Sequence, residues 1–583
     1  MKWLRSGVIL AAVCFFFWRT TGLLSQSITG DILGTVTDQS GSVVPGVKMT
    51  LTAVGTGIAL TTTSDEGGTY LFAQLKPGHY RLEATKEGFR TGSISDIELL
   101  VGQRPRVDIT LQVGELTQSV EVSVGGVQLL ETQTSSMGQV VQEKPIVELP
   151  LNGRNFMQLA VLSAGVAPIG TGVSPASFWT GAGNGQVTTS VAGLRESNTS
   201  FLVDGIETRN ARFGSVGLRP SIDAIQEFKM QTSNFSAEFG RSSAIVNSTL
   251  KSGSNSLHGT AYEFLRNSSL DANDFFLNSA GRPRPQFQQN NFGGSFGGPL
   301  VVPHLYDGRN KTFFFLNYEG FRSRRGLSSS GTALLPSPAQ LRGQLADDST
   351  GTGIFPTSSP FCVANPSSPK CFDLKDPLTG QTIPGNDISG RLDPVAQRWQ
   401  PFTPVPNIAI PAGQLGIPLF NYSVSPKIRN DFNQFNVRVD QVLGASDQLY
   451  GSYSFEDRPH IEPDPIPLAG LNFPLRNQVV AITETHTFSP NMINEFRFGY
   501  NRSKTFLVSE GALGQNYAAD VFGFQNTSPN PFDFGVPQAG ITGFTSIGSH
   551  PESIGALDEN YQFVDNLSIV RGTHNIKAGV NIL

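Results

Sequence analysis

Connection length, more than any single motif, limits what this 583-residue chain can become. From residue 257 onward, stretches of about ten residues alternate apolar and polar side chains. Phe435, Val437 and Val439 alternate with Gln434, Asn436, Arg438 and Asp440. Leu449, Gly451, Tyr453 and Phe455 alternate with Tyr450, Ser452, Ser454 and Glu456, and Phe496 and Phe498 with Glu495 and Arg497. A period of two is the mark of a strand with one apolar face. The pattern places strands at 257–266, 291–300, 311–321, 432–443, 447–457, 477–488, 491–504, 559–570 and 573–583. The gaps between them are 24, 10, 110, 3, 19, 2, 54 and 2 residues, so long and short connections alternate throughout. A soluble sandwich has no reason to collect its long loops at one end. A transmembrane β-barrel does, because its periplasmic turns are short and its extracellular loops long.

Composition agrees with this. Charged residues are 15% of the chain, against roughly 25% in soluble domains, while Gly reaches 63 and Phe 41. Fewer charges suit a surface that meets lipid. A net charge of −5 leaves no electrostatic footprint for nucleic acid. Lys2 and Arg5 precede an apolar run from Val8 to Trp18, with small residues at Ser25 and Ser27. That pattern reads as a secretory signal peptide over 1–27; an uncleaved anchor is the other reading. Eleven apolar residues are too few for a spanning helix, which needs about 20.

Residues 28–113 read as a small β-sandwich of seven strands, cut by turns such as Pro45-Gly46 and Lys76-Pro77-Gly78, with Tyr70, Phe72, Leu75, Tyr80 and Leu82 as its core. Gly34-Thr-Val-Thr-Asp38, Val44-Pro-Gly-Val47, Gly68-Thr-Tyr70, Leu75-Lys-Pro-Gly-His-Tyr80 and Gly88-Phe89 resemble the carboxypeptidase regulatory-like domain. The resemblance implies a prealbumin-like, carbohydrate-binding-like sandwich and no peptidase activity.

A small α+β unit is expected over 125–253. Phe156, Leu159 and Leu162 are spaced as one face of a helix, and Ser221 reads as the N-cap of a short helix through Ile222, Ile225 and Phe228. Phe201 to Gly205 reads as a strand entering a turn, and Ala244 to Leu250 as a strand. The phrases Leu149 to Phe156, Val203-Asp-Gly-Ile206, Ile225-Gln-Glu-Phe228 and Asn234 to Arg241 resemble the plug domain of TonB-dependent outer-membrane receptors, in particular the Oar-like group. That resemblance implies a plug that occludes a barrel lumen and, ahead of it, a TonB box that pairs as an added strand with the periplasmic TonB energy-coupling protein. Within the linker 114–124, Val120, Glu121, Val122, Ser123 and Val124 are the candidate contact, since an extended apolar segment beside Gly125-Gly126 suits strand addition. The same residues read equally well as the last strand of the sandwich or as a plain linker.

The longest gap, 322–431, holds 15 of the 37 Pro and two Cys. Cys362 and Cys371, nine residues apart, suit a loop disulfide in an oxidising compartment, and no His lies near them to make a metal site. The loop is read either as part of a ligand-capture surface or as an inert lid. Catalytic groups do not assemble in the sequence. Gly293-Gly-Ser-Phe-Gly297 has the spacing of a hydrolase elbow but sits in a predicted strand with no helix to follow. The seven His are scattered without a zinc pattern.

The chain therefore reads as mainly β: a seven-stranded sandwich, a small α+β plug, and over 257–583 part of an antiparallel transmembrane β-barrel. Nine strands are odd, where bacterial barrels are even, and the final residue is Leu583, so an N-terminal fragment is expected. The expected activity is non-enzymatic and without cofactor: uptake of a solute across the outer membrane, with outer-membrane lipid, TonB and an oligosaccharide or peptide as partners. Arg438, Asp440, Glu495 and Arg497 are expected to line the lumen as polar filling. The alternative is a surface adhesin or carbohydrate-binding structural protein without transport.

Overall fold

The alternation of period two governs the described fold from its first strand. The structure, a computed structural model, describes residues 29–583 apart from 115–118, 124–136, 152–153, 170–187, 195–197, 211–215, 236, 240–241, 243, 280, 282, 327–330, 412–413, 445, 490, 550–553 and 572–573. The signal-peptide reading over 1–27 and the Val124 end of the candidate coupling segment lie outside the described residues.

Strands β1 (Gly30–Asp38), β2 (Lys48–Ala53), β3 (Ala59–Thr63), β4 (Thr69–Leu75), β5 (Gly78–Thr85), β6 (Thr91–Leu99), β7 (Ile109–Leu111) and β8 (Ser119–Ser123) build the first unit. They form two facing sheets, β4-β1-β7 and β3-β2-β5-β6-β8. Inward residues of both sheets, among them Ile32, Val36, Met49, Leu51, Phe72 and Leu82, fill the core. Full burial of such side chains stabilises the unit by about 1.5–3 kcal/mol each. The five expected core residues, Tyr70 to Leu82, are all buried. One glycine is fixed by close approach: a Cβ on Gly34 would fall 1.9 Å from the Val107 carbonyl oxygen, which also accepts the Tyr70 hydroxyl.

The second unit contains β9 (Met137–Gln142), short helices at Glu143–Glu148 and Met157–Ala160, β10 (Val166–Ile169), β11 (Thr188–Val191), β12 (Thr199–Val203), β13 (Ile206–Glu207), β14 (Ile225–Ser233) and β15 (Ala244–Leu250). Its main sheet runs β13-β12-β15-β14-β9, with β12 and β15 parallel. Of the two helices expected here, one is strand and the other is shorter than expected. Ile225 to Phe228 is strand, preceded by one 3₁₀ turn at Ile222–Ala224. The i, i+3 spacing misleads because β14 sits between β9 and β15 and is buried on both faces, with a register shift between Ile225 and Glu227. Ser221 makes no cap side-chain hydrogen bond, and its hydroxyl reaches Glu319 of the third unit, whose long-stranded sheet forms a wall beside this one. The helix at Met157–Ala160 is a single turn; Phe156 and Leu159 are buried, whereas Leu162 falls beyond its end and is exposed.

The third unit is an antiparallel sheet of long strands: β16 (His258–Asn267), β17 (Phe287–Pro299), β20 (Thr312–Gly326), β23 (Lys427–Val442), β24 (Asp447–Arg458), β27 (Leu475–Ser489), β28 (Met492–Ser509), β29 (Ile554–Arg571) and β30 (His574–Ile582). They pair in chain order, each antiparallel to the next. The remaining strands are short pieces in the connections: β18 (Val301–Val302) with β19 (Tyr306–Asp307), β21 (Gly331–Ala333) with β22 (Tyr422–Val424), and β25 (His460–Glu462) with β26 (Leu471–Asn472). The nine long strands are those expected, extended by several residues mainly at the long-loop end. Gly293 to Gly297 runs through β17 as strand, and Ser295 shares a hydrogen bond with Thr260 across the pair.

At the long-loop end, assigned outward by loop length, the two longest connections pack on each other. Backbone groups of Leu334 and Thr545 meet at 2.9 Å, and Trp399 donates to Pro537 at 2.9 Å while its ring lies 4.2 Å from that of Phe522. Cys362 and Cys371 are joined in a disulfide within this cap, their Cα atoms 5.6 Å apart.

Candidate functional site

The wall's two faces differ as the alternation demands. Phe435, Val439, Tyr453, Phe455, Ile482 and Phe563 point outward, whereas Asn436, Arg438, Asp440, Ser452, Ser454, Glu456, Glu495 and Arg497 are inward and buried. Their burial comes from the second unit, whose sheet sits against this inward face. The contact is built on one tight turn. Val203 pairs with Ile206 across Asp204-Gly205, both at positive φ (47° and 76°), a two-residue hairpin turn. Gly adopts this geometry freely, and Asp tolerates it better than most residues.

Asp204, fully buried, is the anchor. Its carboxylate accepts from the Leu250 backbone N–H at 3.0 Å, from Ser452 Oγ at 2.7 Å and from Arg438 Nη1 at 3.4 Å. Arg438 also donates to both oxygens of Asp440 at 3.0 Å and lies 4.1 Å from the Tyr450 ring centroid. Beside this cluster Arg497 pairs with Glu495 at 2.6 Å, which also accepts from Asn566. The structure thus brings together all four lumen residues expected from the sequence, and each has an ion-pair partner. Burying ions this deeply is unfavourable unless they are paired and hydrogen-bonded; Arg438 and Asp440 meet both conditions, whereas Glu495 Oε2 and Arg497 Nε and Nη1 have no hydrogen-bond partner among the described residues.

Next to the ions lies an apolar seat that strict polar-inward alternation does not anticipate. Phe315, Val479 and Ala481 of the wall pack on Val203, Ile206, Leu218 and Leu250. A Cβ on Gly499 would fall 2.4 Å from Ile206 Cδ1, so that glycine leaves room for the turn. Towards the long-loop end, Ser221 and Arg154 of the inner unit reach Glu319 and Asp223, and Arg154 stacks over Tyr262 at 4.3 Å. A cavity of about 50 Å³ remains there, lined by Arg154, Arg219, Arg458 and Glu319 among others. Small-molecule sites measure about 300–1,000 Å³, so this cavity is too small to hold a solute.

The first unit closes the short-turn end. Leu71 and Ala73 of β4 pack on Ile493 of the wall, and Gln74 donates to Ser568 at 3.2 Å. Lys76 reaches Asp440 at 2.6 Å. Against the inner unit, Val101 N–H donates to Glu227 Oε1 at 2.5 Å and Lys229 Nζ to the Gly102 carbonyl at 3.1 Å. Burial pushes the Glu227 carboxyl up to about 8; the Val101 N–H and Lys229 oppose the rise and Glu98 adds to it. No sequence signal marks Lys76 or Glu227, because each partner lies on a different unit.

The candidate coupling residues Val120, Glu121, Val122 and Ser123 form β8, the edge strand of the sandwich, parallel to β6 with Gly92 opposite Val120 and Ser95 opposite Ser123. On the wall's outward face, His486, Asp447 and Glu484 offer metal-type donors within 4.8 Å of one another, and a 2.6 Å hydrogen bond joins His486 Nδ1 to Asp447. Among the described residues these three form the one such group.

Residues 31–112 match the carboxypeptidase regulatory-like domain family, and residues 249–583 match the outer membrane beta barrel domain family. A stretch of 337 residues is 28% identical to the TonB-dependent transporter Oar of Myxococcus xanthus, covering 55% of this chain and 30% of that protein. The chain thus spans under a third of the relative it matches. Among solved structures, the outer membrane transporter YddB of Escherichia coli is similar at a TM-score of 0.44 and 10% identity, covering 74% of this chain and 45% of that one. The ferric enterobactin receptor PfeA of Pseudomonas aeruginosa is similar at a TM-score of 0.36 and 11% identity, covering 77% and 57%. Strand order, inward polarity and a family match over more than half of the sequence lead to one assignment: the chain belongs to the outer membrane β-barrel family and resides in the outer membrane.

Proposed function

We propose that the protein takes up a solute across the outer membrane as a TonB-dependent transporter. The observation that carries this reading is the seat of Asp204: an inner unit seated on the lumen face of the wall through one buried turn, its ion pairs and hydrogen bonds, and an adjoining apolar patch. An inert structural barrel has no use for a removable occlusion. Solute capture falls to the outer cap of the two long loops, and the energised periplasmic partner, TonB, then displaces the inner unit. The likeness to the Oar transporter over 55% of the chain supports the same reading. Val120 to Val124 are the proposed TonB contact; Val120 to Ser123 lie in an edge strand, which suits strand exchange. Oligosaccharides or peptides are the proposed solutes.

The test uses cells displaying the protein and fluorescein-labelled oligosaccharides and peptides too large for general porins. Deleting Val120 to Val124 abolishes energy-dependent uptake and leaves surface display unchanged. Binding to cells without uptake, and unaffected by the deletion, would favour the adhesin reading instead.

A further inference from the structure

We propose that the N-terminal sandwich is a latch on the inner unit, the two being coupled through one ion cluster in the wall. Four charges from three places meet there: Lys76 from the sandwich, Asp204 from the inner unit, and Arg438 and Asp440 from β23. Asp440 Oδ1 accepts from Lys76 at 2.6 Å and from Arg438 at 3.0 Å, and Oδ2 from Ser252 at 2.8 Å and Arg438 at 3.0 Å. Asp204, Arg438 and Asp440 side chains are each at most 4% exposed, whereas Lys76 is 32% exposed and has a path to water.

The charges sum to zero with both units in place or with both gone, and in no other case. If the sandwich leaves alone, one guanidinium faces two buried carboxylates. If Asp204 leaves alone, two cations face one carboxylate. If both leave, Arg438 and Asp440 remain as a neutral pair. Each departure therefore makes the other easier, since an uncompensated buried charge is what costs most. Such a coupling is reciprocal by linkage. On the wall strands the sandwich adds a small apolar patch, Leu71 on Ile493, and one neutral hydrogen bond, Gln74 on Ser568; it also meets the inner unit directly, through Val101 N–H on Glu227 and Lys229 on the Gly102 carbonyl. As a step in uptake the latch rests on the transport reading, whereas the coupling itself is observable without any solute.

Hydrogen exchange of the full chain in detergent micelles tests it, read on peptides covering Asp204–Ile206 and Leu71–Ala73. Lys76→Gln speeds exchange at 204–206 by about tenfold, which corresponds to about 1.4 kcal/mol, and Asp204→Asn speeds exchange at 71–73 by a similar factor. The double variant exchanges more slowly at both segments than the product of the single effects predicts. Lys76→Arg restores the wild-type rate at 204–206. Heat-modifiable migration of the barrel on gels checks that each variant is folded. Exchange that responds only near its own substitution, or effects that multiply without interaction, overturns the latch. Confirmed coupling in a protein that takes up no labelled solute would overturn the transport reading alone.

Discussion

Replacing Glu227 by Gln makes the docking of the sandwich independent of pH and stronger at neutrality. Glu227 is 2% exposed, and its Oε1 receives the Val101 N–H across the boundary between sandwich and inner unit. Burial holds its carboxyl at about 8, against 4.5 ordinarily. When the sandwich undocks, water reaches the group and its affinity for protons falls back towards the ordinary value. The docked state thus binds a proton that the undocked state releases. Docking is at full strength below about pH 4.5, weakens as pH rises from there to about 8, and is constant above that. Each pH unit in this window costs about 1.4 kcal/mol, so by pH 7 the loss approaches about 3 kcal/mol. Gln keeps an oxygen for the Val101 N–H and has no proton to lose. At pH 7 the variant therefore docks more tightly by up to about 3 kcal/mol, a factor on the order of 100 in the docking equilibrium. The assay is hydrogen exchange of the peptide over Leu100–Gly102 from pH 5.5 to 8.5, corrected for the intrinsic rate. An equal pH slope in wild type and Glu227→Gln refutes the reasoning, and so does wild-type protection that increases with pH.

Three further outcomes are expected. Asp204→Ala removes the acceptor of Leu250 N–H and Ser452 and the partner of Arg438, costing the inner unit about 3–5 kcal/mol, whereas Asp204→Asn, which keeps the turn and an acceptor, costs less; the urea midpoint of the inner unit in micelles measures both. Gly499→Val pushes side-chain atoms into Ile206 and unseats the turn, so entry of the chromogenic β-lactam nitrocefin into cells rises while barrel migration on gels is unchanged. Replacing Cys362 and Cys371 by Ser removes a constraint of about 2–3 kcal/mol for a loop of this length, seen as faster proteolysis within 355–371 with the strands untouched.

How much of this was legible beforehand follows from range. Period-two alternation and the contrast of two-residue with fifty-residue connections are local properties, so they placed all nine long strands and the outward face of the wall. The Asp204-Gly205 turn was readable because Gly and Asp suit positive φ. The segment Ile225–Phe228 was misread for a physical reason: a strand buried on both faces has no polar side to mark its period. Phe313, Phe315 and Phe321 likewise break the polar-inward pattern because the lumen face there meets protein, not water.

The sequence by itself determined the class of the chain, the span of its long strands and which face of them is polar, since each depends on neighbours a few residues away. Only the tertiary structure decided which charges meet. Lys76 and Asp440 are 364 positions apart and Asp204 and Arg438 are 234 apart, on three separately folded units. No periodicity records such pairs; they exist because the docking of those units leaves each buried charge one place to find its opposite.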